Sequence, residues 1–403
     1  MYLKKFSLID KKISKINYLY FLVPCILIGF FSAVRWPSAW TATHALFDYS
    51  QGFSKRSLYG NFLSFFFENK ISYLDIAIIN FSIFFVWLLT LVILIKKLVD
   101  KKLIDYKIAC VFFLSPGFIF QVHTIGYLEH VAYFLFLLSF FIRNLLIHLI
   151  SKFLIILILP FIHEGLLLMI VPAILFDTYL ILKKNNLKYK MLIGIMFFVT
   201  IIGTGYNSIT NKSEIELKNY EKYIHDKALD FNARGDNVET LRNDIVKAFI
   251  IMQEYWSRLT HWVKLFMGLI FLLPLPIFLF FILIKSHREK FGRIKDLTFY
   301  FIILSCFAPM LLIPIAFDIW RWFAMIQFTT FITIFIYCYR IGVNLKLKNY
   351  TYLFNLLFII TVLTSIPLMD GYQVNNLPFY NHLEDVWFSF KNNENFIIIP
   401  WHR

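Results

Sequence analysis

The chain has 403 residues, of which 59% fall in the set AVILMFWYC, 20% are aromatic and only 16% are charged; its mean hydropathy is +0.67. Soluble domains carry about 25% charged residues, and a single soluble core stops growing at roughly 250–300 residues. The composition therefore excludes a soluble cytoplasmic enzyme, a secreted disulfide scaffold and a disordered chain, and leaves an all-α polytopic membrane protein, one membrane domain whose solvent is largely lipid.

The start, MYLKKFSLIDKKISK, is basic, and no small-residue cleavage site follows the first apolar run. That run reads as a retained first helix. Apolar stretches fall at about 17–35, 73–95, 108–122, 127–142, 149–163, 165–182, 191–207, 264–284, 297–317, 322–339 and 351–368, which predicts about 11 transmembrane helices. With the N-terminus cytoplasmic, the inside segments hold 24 basic residues and the short outside loops hold five, Arg35, Lys55, Arg56, Lys70 and Arg321. This asymmetry accounts for the net charge of +15 without a nucleic-acid partner. It also makes the C-terminus external. The outside regions are then loop 36–72, a tight turn at 123–130, a larger helix-permissive loop 208–263 and the tail 369–403. Cys25, Cys110, Cys306 and Cys338 lie in or beside apolar runs without CxxC spacing, which supports neither disulfides nor zinc. There is no P-loop, GxGxxG, HExxH or internal repeat.

An ionisable side chain at membrane depth costs roughly 2.5–3.5 kcal/mol on insertion scales, so such residues are functional candidates. In chain order, the first loop carries His44, Asp48, Lys55 and Arg56 among aromatic residues. The external Lys55–Arg56 pair is either solvated or waiting for an anion, a role that suits the arginine fork. Glu129 and His130 open the fourth span, where the glutamate either favours the helix N-terminus or faces a ligand. His163–Glu164 interrupts the apolar stretch from Phe153 to Leu182. Basic segments on both sides favour a hairpin of two short helices over one long helix, with Pro160 and Gly165 permitting the break. The pair then ties two helices together or does chemistry in a turn sheltered from bulk water. Asp318 and Arg321 are three residues apart, close enough on a helix to pair with each other. Nearly all of these candidates fall toward the outer face. Carboxylates beside Arg and His there suit transfer of a group held by a lipid-linked phosphate: Arg holds the leaving phosphate and a carboxylate takes the acceptor's proton.

At Asp48-Tyr-Ser-Gln-Gly-Phe-Ser-Lys-Arg56, His163-Glu164 and Asp318-Ile-Trp-Arg321 the chain resembles integral-membrane glycosyltransferases of the C-type architecture, above all the Wzy-type O-antigen or capsule repeat-unit polymerases. The likeness is one of layout across the membrane region, and the long external loop departs from it in having only Arg234, Arg242 and Arg258. The resemblance implies a polyprenyl-(pyro)phosphate-linked glycan donor and acceptor, membrane lipid as surroundings, a chain-length regulator protein as a partner, and the bacterial inner membrane as location. On that basis Glu164 is the expected base, with Asp48 second and His163 sharing or orienting the proton. Arg56, Lys55 and Arg321 would bind phosphate, with Asp318, Glu129, His130 and His44 completing the substrate site. A divalent metal stays open as an alternative, but no compact ligand cluster supports one, so no cofactor is assigned. The rival class is a polysaccharide or lipid-linked-glycan transporter, which predicts charges near the midplane and broken helices in two related halves.

Overall fold

The computed structural model describes residues 18–34, 36–67, 70–185, 214–242, 245–294, 296–316, 318–345, 347 and 350–365, with isolated positions between 194 and 201. The basic N-terminal segment, most of the stretch 191–207 and the tail 369–403 lie outside the described residues. The described chain is helical, and its one β contact is the isolated parallel bridge between Ile71 and Ala228. Four helices are long and apolar enough to cross a membrane: Tyr73–Asp100, Leu145–Ile162, Leu259–Phe291 and Ile319–Ile341. A fifth span arises if the bent pair Tyr106–Leu114 and Pro116–His123 is taken together. Shorter apolar helices occupy Leu19–Phe31, Leu128–Ser139 and Thr351–Ser365.

In chain order, α1 is Leu19–Phe31, α2 Ala39–His44, α3 Leu58–Leu63 and α4 Tyr73–Asp100. Ser72 caps α4 by accepting from the Asp75 N–H at 3.1 Å and donating to its carboxylate at 2.6 Å. The helix runs for 28 residues, about 42 Å at 1.5 Å per residue. The predicted span 108–122 is instead two helices, α5 (Tyr106–Leu114) and α6 (Pro116–His123), meeting at 46°. The physical cause is Pro116, which cannot donate to the ladder, with Ser115 capping the second helix in an extended backbone. Gly117 lets α6 approach closely, since a Cβ there would stand 2.8 Å from the Phe328 backbone nitrogen.

Next come α7 (Leu128–Ser139), α8 (Leu145–Ile162), α9 (Leu166–Met169) and α10 (Val171–Lys184). The stretch from Phe153 to Leu182 is thus broken, as the flanking charges suggest. The break falls at His163, whose backbone is extended, while Pro160 stays inside α8. The hydrophilic segment supplies α11 (Glu214–Lys227) and α12 (Gly235–Glu239), followed by α13 (Ile245–Trp256). Then α14 (Leu259–Met267) continues through a wide turn at Gly268–Leu272 into α15 (Pro274–Phe291), so this span starts earlier than the predicted 264. The chain closes with α16 (Asp296–Phe307), a tight helical turn at Ala308–Leu312, α17 (Ile319–Ile341) and α18 (Thr351–Ser365).

The helix α17 is the axis of the fold. It packs against α6, α10, α15 and α16, and residues 322–338 are all buried. A helix apolar on every side is one that neighbours must surround. Two of its polar positions are met within the helix: Thr329 Oγ1 donates to the Met325 carbonyl at 2.9 Å and Thr333 Oγ1 to the Thr329 carbonyl at 2.7 Å. The axis also separates two ends of the body. Arg321 stands near its start and Arg340 near its finish, 19 residues apart, about 28 Å along the axis.

Candidate functional site

The end of the body that carries Arg321 gathers segments far apart in sequence. The Ile71 N–H donates to the Lys227 carbonyl at 3.0 Å, and the Leu229 N–H donates to the Ile71 carbonyl at 3.1 Å. The Arg234 N–H donates to Thr43 Oγ1 at 2.9 Å, and Asn237 Nδ2 donates to the Trp40 carbonyl at 2.6 Å. These bonds clamp α11 and α12 onto the first loop.

Asp48 lies under that clamp. Its carboxylate pairs with Lys227 and accepts from Tyr223 Oη at 2.7 Å and Ser50 Oγ at 2.6 Å. Tyr220 Oη donates to the Asp48 carbonyl at 3.1 Å. Burial would raise the Asp48 carboxyl, but hydrogen bonds from Lys227, Ser50 and Tyr223 outweigh it and hold the group below its ordinary value. The sign follows: the contribution to stability is complete above the ordinary carboxylate range and is lost as pH falls through the lowered folded value. Asp48 therefore holds the external segment down, which makes a base role secondary. Asp48→Asn should weaken that docking by about 3–5 kcal/mol, since buried Lys227 loses its counter-charge. Faster tryptic cleavage at exposed Lys218 and Lys222 would report it, and unchanged cleavage would contradict it.

Arg56 is the unusual residue. Its φ is +64°, a left-handed backbone rare for a side-chain-bearing residue. The side chain is only 12% exposed. Its Nε donates to Glu164 Oε2 at 2.9 Å, its Nη2 also contacts that carboxylate, and its Nη1 donates to Thr240 Oγ1 at 3.0 Å. The first loop, the α8–α9 turn and the external segment thus meet on one guanidinium. Beside it, the Gly165 N–H donates to His163 Nδ1 at 2.9 Å. A nitrogen that accepts from an amide carries no proton, so the neutral ring holds its proton on Nε2 and presents a donor. That donor fits the orienting role, one of the two expected of His163.

His44 is 5% exposed, packed edge-on to Trp40 and Phe47, with its Nε2 buried and without a hydrogen-bond partner. Burial lowers its imidazole well below the ordinary value; Arg56, His163 and Arg321 push the same way and Glu164 opposes. His44 is therefore neutral at pH 7. Lys55 is buried at 3% exposure, so the solvated reading of this pair does not hold. Tyr49 stacks on Phe53 at 5.6 Å, and Phe53 meets Phe161 edge-on at 6.0 Å. That makes an aromatic shelf next to the turn.

Arg321 is a second centre. Asp318, expected as its partner, lies outside the helix in non-helical backbone and contacts Arg321 Nη1 only at 3.5 Å. The close partner is Glu129, buried in the first turn of α7. The guanidinium also sits over Tyr127 at 5.1 Å and Trp322 at 5.0 Å. His130 is enclosed instead by Phe84 and Trp87, its ring nitrogens 2.9 and 3.2 Å from the Gln121 and Tyr127 carbonyl oxygens. That places it in helix packing and away from the cluster. Among the described residues, no three of His, Cys, Asp and Glu group as metal ligands.

Sequence reading missed Lys227, Tyr220, Tyr223 and Thr240, which carry no motif and reach the site only through tertiary docking. It also overlooked a buried charge cluster at the opposite end. Asp177 is fully buried and pairs with Lys152; Arg340 Nε donates to it at 2.6 Å and Nη2 at 3.0 Å, with His148 Nε2 3.8 Å away. Lys152 and Arg340 are thus not solvated topology residues, and the buried charges do not all lie toward one face. No protein-family model, curated protein or solved structure matches the chain.

Proposed function

We propose that the chain is a membrane glycosyltransferase that acts on polyprenyl-(pyro)phosphate-linked glycans at the outer face of the bacterial inner membrane and polymerises O-antigen or capsule repeat units. The supporting observation is Arg56, held in a left-handed backbone and gripping Glu164 beside the Nε2–H of His163. Backbone strain of this kind costs about 1–3 kcal/mol and persists where the surroundings enforce it. In this reading the donor phosphate displaces Glu164 from the Arg56 fork. The sugar C1–O bond to phosphate breaks as the acceptor oxygen bonds C1, and the acceptor proton passes to the released Glu164 carboxylate. The leaving phosphate stays on Arg56 and Arg321, with His163 donating to it. The shelf of Tyr49, Phe53 and Phe161 offers flat apolar faces to the sugars.

The proposal carries the topology of about eleven spans with a cytoplasmic N-terminus and an external C-terminus. Lys55 is too buried to report sidedness by labelling, but Gln51 and Lys222 are exposed at this end, and Lys101 and Lys290 are exposed at the other. Cysteines at 51 and 222 should react with an impermeant thiol reagent applied outside, and cysteines at 101 and 290 should not. The reverse pattern would invert the arrangement. Arg56→Lys and Arg321→Lys should each lower kcat/KM for the phosphate-linked donor about tenfold or more, because the charge stays but the fork is lost. Initial rates of glycan extension measure this, and wild-type rates in both would contradict the phosphate site.

The transporter reading has one observation in its favour, the Asp177 cluster, which puts buried charge at both ends of the body.

A further inference from the structure

Near the end that carries Arg340, a narrow crevice opens between α4, α7 and α17, with Thr90, Leu94, Leu137, Phe140 and Tyr339 on its walls and Lys97 at its mouth. Thr90, Leu94 and Lys97 are spaced i, i+4, i+7 and form one stripe along α4. The eight residues from Thr90 to Lys97 span about 10 Å along the helix. The walls are apolar, while the rim is cationic. Lys97 Nζ lies 5.3 Å from the Phe141 ring centre and Lys101 Nζ 6.0 Å from that of Tyr339. Arg340 lies against the same wall rings, 4.8 Å from Phe140 and 5.3 Å from Tyr339.

Charge decides what such a crevice suits. Among the described residues, Lys97 and Lys101 have no carboxylate within 4.0 Å, while nearby Lys96 is already paired with Asp100. The Arg340 charge is partly met by Asp177, which it shares with Lys152. The rim therefore carries an excess of positive charge above an apolar shaft that runs along a membrane-length helix. Basic pockets between membrane helices recognise anionic lipid headgroups. A free phosphate would use the lysines and leave the shaft unexplained, and a neutral lipid would leave the lysines unexplained.

We propose that this crevice is a binding site for one anionic phospholipid, with its phosphate between Lys97 and Lys101 and the upper part of an acyl chain along Thr90, Leu94 and Leu137. The site is independent of the glycosyltransferase reading. The test is thermal unfolding of the purified full-length protein in detergent, with added phosphatidylglycerol, phosphatidylcholine or inorganic phosphate. Phosphatidylglycerol should raise the midpoint by several degrees, and the other two should not. Lys97→Gln/Lys101→Gln, on the exposed rim, should lose that rise while melting normally without lipid. Leu94→Trp keeps the rim charge and fills the shaft, and should also lose it. Equal shifts with phosphatidylcholine or with inorganic phosphate would overturn the proposal, as would a full phosphatidylglycerol shift in the rim variant.

Discussion

Glu164→Gln should cut glycan extension by about 10²–10⁴-fold, the usual worth of a positioned general base, while the protein stays folded and inserted. Glu164 sits in the turn after α8, where Arg56 grips both carboxylate oxygens. In the resting site that guanidinium keeps the carboxylate ionised. When donor phosphate takes the fork, the carboxylate is released next to the acceptor hydroxyl and can take its proton. Gln keeps the shape but has no basicity. A second variant separates this from a structural pair. Arg56→Gln/Glu164→Gln removes both charges and leaves no buried ion orphaned. If the pair only tied the loop to the turn, the double variant would recover extension; as a phosphate clamp and base it stays inactive. Chain-length ladders of the product read the outcome.

Asp177→Asn should lower stability by about 3–5 kcal/mol, the range for breaking a buried ion pair from one side. Asp177 is fully buried and is the shared counter-charge of Lys152, also fully buried, and Arg340, 17% exposed. Asn leaves two cations beside α10 without a carboxylate. Thermal unfolding in detergent measures the loss. Its mechanism is far from the Arg56 cluster, so the protein that remains folded should keep near-normal specific activity. A variant that melts like the parent but loses activity would instead place Asp177 on a functional path, in favour of transport.

Much of the fold is written in the apolar runs, because the cost of exposing backbone and charge to lipid leaves few alternatives. The break at His163–Glu164 is visible for that reason, with basic segments on both sides of a stretch too long for one hairpin arm. The bend at Ser115–Pro116 is equally local, yet it hides inside a run that hydropathy alone reads as a single span. The pairing of Arg321 is a different case. Spacing favours Asp318 three residues away, but the true partner, Glu129, is 192 residues distant, and only the packing of α7 beside α17 reveals it. Asp177 could have been found: it is a carboxylate inside an apolar stretch, and Lys152 and Arg340 were open to reading as its partners instead of as topology markers. Tyr220, Tyr223 and Lys227 could not, because an amphipathic external helix gives no sign of which loop it covers.

The most direct measurement places the purified protein in proteoliposomes with a polyprenyl-pyrophosphate-linked glycan on the outer leaflet and follows the lipid-linked products by mass spectrometry. A glycosyltransferase forms new glycosidic bonds, so the account predicts extended glycans with the parent protein and none with Glu164→Gln. Movement of unextended glycan across the bilayer, with no new bond formed, would contradict it.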